Sequence, residues 1–387
     1  LKKMSFFEQV LSAVFILIGM FFLTFAVLFF TLIIGKISYV AFILTSGVVV
    51  YIFFVLLVFH FFQTKKRKVI FISFGIMAIS LSTVPAIKYE YTKRIEMVDA
   101  EVNIYVYKPF SDSREVATLE EASTLQLKDQ LPRMDGATAL YPLYSAFVQA
   151  TYPENDYYPY DSAVMVNTTP DAYDNLIYGK VDMIFVAAPS EAQLTKAKQQ
   201  GKELELTPIG REAFVFFVNQ KNKVNGLTME QIKDIYSGKV TNWKEVGGAD
   251  DSIRAFQRPA DSGSQTALEN LMGDTPIMEA PSEDIATGMG GIINEVAQYK
   301  NFKNAVGYTF RFYSTEMVGN EKIKLLEIDG IAPTKETIRS GDYPIASEFY
   351  IVTAGSDNPN VEKMIEWILS EQGQKLLEKA GYVPIAK

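Results

Sequence analysis

The sequence predicts an α/β protein of two lobes preceded by three transmembrane helices, and three observations carry that expectation. Apolar residues crowd into the first 90 positions of a 387-residue chain. Beyond residue 132, short apolar runs with strand-like spacing alternate with helical patterns, the signature of α/β units. Those alternating elements extend over more residues than one small sheet requires, which points to two lobes.

Residues 10–34, 37–62 and 69–87 are the three apolar runs, the third softened by Ser73, Ser80, Ser82, Thr83 and Pro85. Each is long enough to cross about 30 Å of hydrocarbon as a helix, which takes about 20 residues. Three such runs in succession read as spans rather than as a cleaved leader. Lys2 and Lys3 precede the first run, and Lys65, Lys66, Arg67 and Lys68 separate the second from the third, whereas Lys36 alone stands between the first two. The excess of positive charge on cytoplasmic loops then puts the N-terminus and the KKRK turn in the cytoplasm and everything after the third run outside. No acidic residue lies within the runs, so a proton relay or ion pathway has no support. Residues 1–90 are the transmembrane region, and residues 91–131, with an alternating strand-like stretch at 102–107, are a linker into the extracytoplasmic part.

The charge divides in the same place. Residues 1–90 carry eight Lys/Arg against two Asp/Glu, and the remainder carries 29 against 43, a net charge of −14. So acidic a domain argues against nucleic acid as a partner. A small anion stays possible, because such sites work through local amides and a single Arg. The absence of cysteine excludes disulfides, thiolate metal sites and thiol catalysis, and a single His60 leaves His-based zinc sites and Ser-His-Asp triads without material. No cofactor or metal is called for.

Between residues 132 and 387, the runs at 163–166, 183–186 and 214–218 read as buried strands of a largely parallel sheet. Residues 140–150, 228–237, 265–272 and 361–380 read as helices. In α/β sheets ligands bind beyond the carboxyl ends of strands, where loops enter helices. Three such loops are rich in small and hydroxyl residues. The first holds Ala137, Thr138 and Ala139 after Asp135 and Gly136. The second runs from Asn167 through Thr168 and Thr169 to Pro170, with Thr169 as the expected N-cap. In both, a simple cap and an anion contact look the same in sequence. The third, Arg258, Pro259, Ala260, Asp261, Ser262, Gly263 and Ser264, offers hydroxyls, amides and a guanidinium whose fork suits an oxyanion. It does not match a GxSxG hydrolase elbow, since Asp261 stands where the first Gly belongs.

The region from about 132 to 385 resembles the phosphate-binding proteins of ABC importers, within the type II periplasmic-binding-protein superfamily. The stretch LTMEQIKDIYSGKVTNWKEVGG at 227–248 carries most of the likeness. The loop at 258–265, the AVGY and YPIASEFYIVT segments and the tail WILSEQGQKLLEKAGYVP follow in the family's order. The resemblance implies two hinged lobes, one at about 99–211 plus 344–387 and one at about 212–343, with crossings near 211–214 and 343–347. It implies ligand contacts from Ala137, Thr138, Ala139, Thr168, Thr169, Arg258, Ser262, Gly263 and Ser264. One position departs. Phosphate-binding members often carry an Asp after the strand written here VDMIF, and this chain has Ala187 there, so either Ser190, a backbone carbonyl or another carboxylate accepts the proton of hydrogen phosphate, or the ligand is a different one.

The resulting expectation is a membrane-anchored extracytoplasmic binding protein, not an enzyme, that captures an inorganic oxyanion. Phosphate comes first, and the partners are an ABC permease and its ATPase. The alternative is a membrane-bound anion sensor using the same domain. An extracellular phosphatase would need an acid–base pair or metal-ligand cluster that the sequence does not display.

Overall fold

The structure, a computed structural model, describes residues 4–94, 102–113, 115–280, 301–319 and 321–385. It separates into two compact units, 1–96 and 97–387; the expected start of the first lobe near residue 99 lies outside the described residues.

The N-terminal unit contains α1 (Phe6–Ile33), α2 (Val40–Val58) and α3 (Lys65–Arg94). The stretches Phe6–Ile33, Ile37–Val58 and Lys65–Tyr91 are long and apolar enough to cross a membrane. Ser5 and Glu8 form a reciprocal capping box at the start of α1. The Gln9 side-chain Nε2 donates to the Val58 carbonyl at 3.2 Å, and Lys36 meets Glu90 at 3.2 Å, so opposite ends of the bundle are tied by polar contacts. A Cβ at Gly47 would lie 2.6 Å from the Thr24 hydroxyl, which explains a glycine where α2 crosses α1. The KKRK cluster, read from the sequence as a turn between the second and third runs, forms the first turn of α3.

The C-terminal unit is mixed α/β. Its elements in order are β1 (Met134–Gly136), α4 (Tyr141–Thr151), α5 (Thr169–Ile177), β2 (Met183–Val186), α6 (Glu191–Gln199), β3 (Glu205–Asn219), β4 (Gly226–Leu227), α7 (Met229–Tyr236), β5 (Arg254–Ala255), α8 (Gly263–Met272), β6 (Ala305–Phe310), β7 (Ile323–Leu325), β8 (Glu327–Ile328), α9 (Lys335–Ser340), β9 (Ala346–Thr353), α10 (Asn360–Leu369), α11 (Glu371–Lys379) and β10 (Val383–Pro384). The main sheet runs β1-β2-β9-β3-β6-β5, with β7 and β10 also paired to β3. The expected largely parallel sheet is therefore corrected. β1–β2 and β5–β6 are parallel, but every pairing of β3 and both pairings of β9 are antiparallel.

The long strand β3 makes this arrangement. Residues 205–213 pair with β9, and residues 214–219 pair with β6 and β7. Its early part packs with clusters that include Met134, Phe147, Phe185 and Ile351, whereas its later part packs with Ile232, Trp243, Leu268 and Tyr308. Three local expectations also change. Residues 104–107 form a 3-10 turn, whose threefold period turns Ile104 and Tyr107 together into the core. Residues 163–166 make only bridges, because the Val166 amide donates to the Pro159 carbonyl instead of extending a ladder. The helix expected over 361–380 is two helices, broken where Ser370 turns extended and caps the Gly373 amide.

Candidate functional site

The first loop leaves β1 through Gly136, whose position admits no side chain. A Cβ there would lie 2.6 Å from the Phe185 carbonyl oxygen and 2.8 Å from the Tyr144 ring. The Ala137 amide donates to that same Phe185 carbonyl at 2.9 Å. Thr138, Ala139 and Leu140 then make a 3-10 turn into α4, and all three are buried. Asp135 does not cap this turn. Its fully buried carboxylate accepts from the side chains of Asn167 and Asn175 at 2.8 Å each and from the Gly136 amide at 2.8 Å. Burial pushes its pKa up, against the pull of those donors. Asp135 thus ties the first loop to the second.

In the second loop the N-cap of α5 is Thr168, not Thr169 as expected. Its hydroxyl accepts from the Asp171 amide and donates to the Asp171 carboxylate at 2.6 Å. Thr169 and Pro170 occupy the first turn, where backbone N–H groups have no intrahelical partner.

The third loop enters α8 through Ser262, the N-cap, whose hydroxyl accepts from the Gln265 amide at 3.2 Å. The Arg258 amide donates to the Tyr308 hydroxyl at 2.9 Å and to the Gln265 side-chain oxygen at 3.1 Å, and Tyr308 donates to Gln265 in turn. The backbone at Arg258 is thereby fixed. Asp261 adopts a left-handed φ of 63°, a conformation that Asp tolerates better than most residues. Its carboxylate accepts from the Ser190 hydroxyl at 2.7 Å, and its carbonyl accepts from the Gln193 amide group at 3.3 Å. Ser190 is also the N-cap of α6, so this bond links two elements 71 residues apart.

All three loops line one cleft of about 110 Å³, bounded by Ala137, Thr138, Thr168, Thr169, Pro170, Arg258, Pro259, Ala260, Ser262 and Gly263. A Cβ at Gly263 would stand 3.2 Å from the Thr169 hydroxyl and 3.5 Å from the Ala187 methyl, so the loops meet closely here. Two expected residues lie elsewhere. Ala139 lines a smaller adjoining cavity, and Ser264 lines neither, although it is 1% exposed and its hydroxyl has no hydrogen-bond partner.

The adjoining cavity, about 30 Å³, shares Ala137, Thr169 and Gly263, one from each loop, and adds Ala187, Glu212, Phe310, Ser347 and Glu348. Glu212 escaped the sequence reading; the only signal was an acidic residue inside the apolar run IGREAFVFFVN. Its carboxylate accepts from the Ala213 amide at 2.9 Å and the Phe312 amide at 3.3 Å. Burial pushes its pKa up to about 7, against the opposing pull of these amides and of Arg311. Among the described residues no group of three or more His, Cys, Asp or Glu side chains could hold a metal ion.

Comparison with known proteins adds context to this geometry. The chain is 28% identical over 217 residues to the phosphate-binding protein PstS of Borreliella burgdorferi, covering 54% of this chain and 76% of that protein. It is 29% identical over 170 residues to the protein of the same name from Bacillus subtilis, covering 43% of this chain and about half, 53%, of that one. Among solved structures, an ABC-type phosphate transport receptor from Vibrio cholerae aligns with a TM-score of 0.46 and 22% identity, over 65% of this chain and 98% of that one. The PBP superfamily domain is matched over residues 123–372, well over half the chain, and this chain belongs to the PBP superfamily.

Proposed function

We propose that the chain is a membrane-anchored, extracytoplasmic solute-binding protein that captures phosphate for an ABC importer. The observation that carries this reading is the meeting of three loops, two of them helix N-termini with hydroxyl caps, around one small cleft beside Arg258. Helix starts present unpaired amides and a positive dipole end to an anion, and Arg258 adds a full charge. A charge-assisted hydrogen bond contributes about 1.5–3 kcal/mol, so a few of them reach the roughly 8 kcal/mol of micromolar binding. Relatives named as phosphate-binding proteins support phosphate as the anion.

In this reading lobe one comprises about 99–211 and 344–387, and lobe two about 212–343, closing on the ligand about the crossings in β3 and before β9. The contacts come from Ala137, Thr138, Thr168, Thr169, Arg258, Ser262 and Gly263, with Ala139 and Ser264 behind them in the chain, and capture involves no chemical step. The three apolar helices anchor the domain with the N-terminus cytoplasmic, an orientation that the cluster at Lys65, Lys66, Arg67 and Lys68 supports. The loaded domain delivers its ligand to a permease driven by an ATPase. A sensor role for the same domain is favoured by a bundle of three spans where one would anchor. Calorimetry on the full chain in detergent, with phosphate, sulfate, molybdate and organic phosphates, tests the proposal. Heat with phosphate at micromolar concentrations is expected, and heat with none of them overturns it.

A further inference from the structure

We infer that the cleft takes its phosphate as part of a small amino-alcohol phosphate ester, whose substituent occupies a second chamber beside the cleft. The inference rests on the oxyanion-binding reading above and names the class of ligand that carries the anion.

The chamber has a volume of about 290 Å³, more than twice the 110 Å³ of the cleft. Gly263 lines the cleft, the small adjoining cavity and the chamber alike. A Cβ at that position would stand 3.2 Å from the Thr169 hydroxyl, 3.5 Å from the Ala187 methyl and 3.8 Å from the Phe310 ring, so the missing side chain leaves the junction free. Ala187 also lines both the adjoining cavity and the chamber, and its methyl takes up little of the space between them. At about 10–15 Å³ for each water-sized group, the adjoining cavity of about 30 Å³ fits the bridging oxygen and first carbon of an ester. The chamber has room for roughly twenty such groups. A bare oxyanion seated in the cleft leaves all of that space to water.

The walls indicate what the chamber holds. Phe214, Leu271, Phe310 and Ile345 make apolar surfaces that suit a short carbon chain. Thr266, on α8, lines the same space. It is only 4% exposed, and its hydroxyl has no hydrogen-bond partner. A buried hydroxyl left unpaired costs free energy, and a polar group on the ligand would relieve that cost.

The sign of the charge follows from the carboxylates. Glu348 lines both the adjoining cavity and the chamber, Glu212 lines the adjoining cavity, and no Lys, Arg or His lines either space. Glu348 accepts from the Tyr350 hydroxyl at 3.3 Å, and a carboxylate has acceptor sites beyond that one. A substituent ending in an ammonium group complements this lining, and one ending in a carboxylate is repelled by it. Pro344, Ser347 and Glu348 are exposed, which gives the substituent a way in from solvent.

The test is calorimetry on the full chain in detergent with inorganic phosphate, phosphoethanolamine, glycerol phosphate and phosphoglycerate. Phosphoethanolamine should bind about tenfold tighter than inorganic phosphate, the worth of burying its two methylenes. Glycerol phosphate should fall between them, and phosphoglycerate should bind weakest. Ala187→Leu, which fills the junction, should abolish the advantage of the ester and leave the affinity for inorganic phosphate as it was. Glu348→Gln, at an exposed position, should fold normally and reduce the preference for phosphoethanolamine over glycerol phosphate by about threefold. Inorganic phosphate bound as tightly as phosphoethanolamine, or tighter, overturns the inference and leaves phosphate capture standing. An ester advantage that survives Ala187→Leu, or an amine preference untouched by Glu348→Gln, overturns it as well. Should Ala187→Leu fail to fold, the wild-type ranking and Glu348→Gln decide. Binding of none of the four removes the oxyanion reading and this inference with it.

Discussion

On one side of the cleft, the loops at 136–139 and 167–170 are locked to each other by a buried carboxylate, and neither carries a cation. On the other, the loop at 258–264 carries Arg258 and is steadied by the neutral network of Tyr308 and Gln265. The first side is a rigid frame of amides, and its Asp135 charge is turned inward and neutralised by three donors. The second supplies the attraction. Neither side surrounds an anion by itself, which ties affinity to the joining of the two. Ser190 and Gln193 at the start of α6 both donate to Asp261 in the second side, and on the proposed reading these bonds hold the closed form.

The largest effect should come from breaking the frame. Asp135→Ala would leave the Asn167, Asn175 and Gly136 donors buried without an acceptor, at a cost of about 3 kcal/mol. Thermal unfolding of the full chain should show a Tm several degrees lower, and an unchanged Tm would mean the two loops are held by something else. Next comes the charge. Arg258→Ala should weaken anion binding by at least about tenfold. An unchanged affinity would remove Arg258 from the site. The smallest effect should come from the rim. Ser190→Ala removes the cap of α6 as well as the bond to Asp261, and loss of the latter, worth about 1 kcal/mol, should weaken binding by about fivefold, expressed as faster dissociation. Slower association with unchanged dissociation would contradict a role in holding the closed form.

The loops of the site were legible in the sequence because their residues announce what they do. Small residues followed by Pro170 at a helix start, or Ser262 and Gly263 after an Arg-bearing loop, have local reasons to be where they are. Strand β2 at 183–186 was legible too, as a short apolar run between turns. What was hidden depends on distant partners. The antiparallel character of the sheet comes from β3 pairing with β9 and β6, over 80 residues away, and no periodicity in β3 reports the direction of its neighbours. The stretch at 102–107 alternates like a strand, but docking of Ile104 and Tyr107 on one face selects a 3-10 turn. Glu212 looked like an ordinary charge in a strand, and only its burial in the cavity that Ala187 also lines places it beside the cleft.

The central claim is that an oxyanion sits where the two sides meet. A crystal structure of the protein grown with phosphate tests it most directly. The account predicts tetrahedral density within hydrogen-bonding distance of the Thr138, Thr169 and Gly263 backbone and the Arg258 guanidinium. Phosphate bound outside that hollow, or an empty hollow at saturating phosphate, would contradict it.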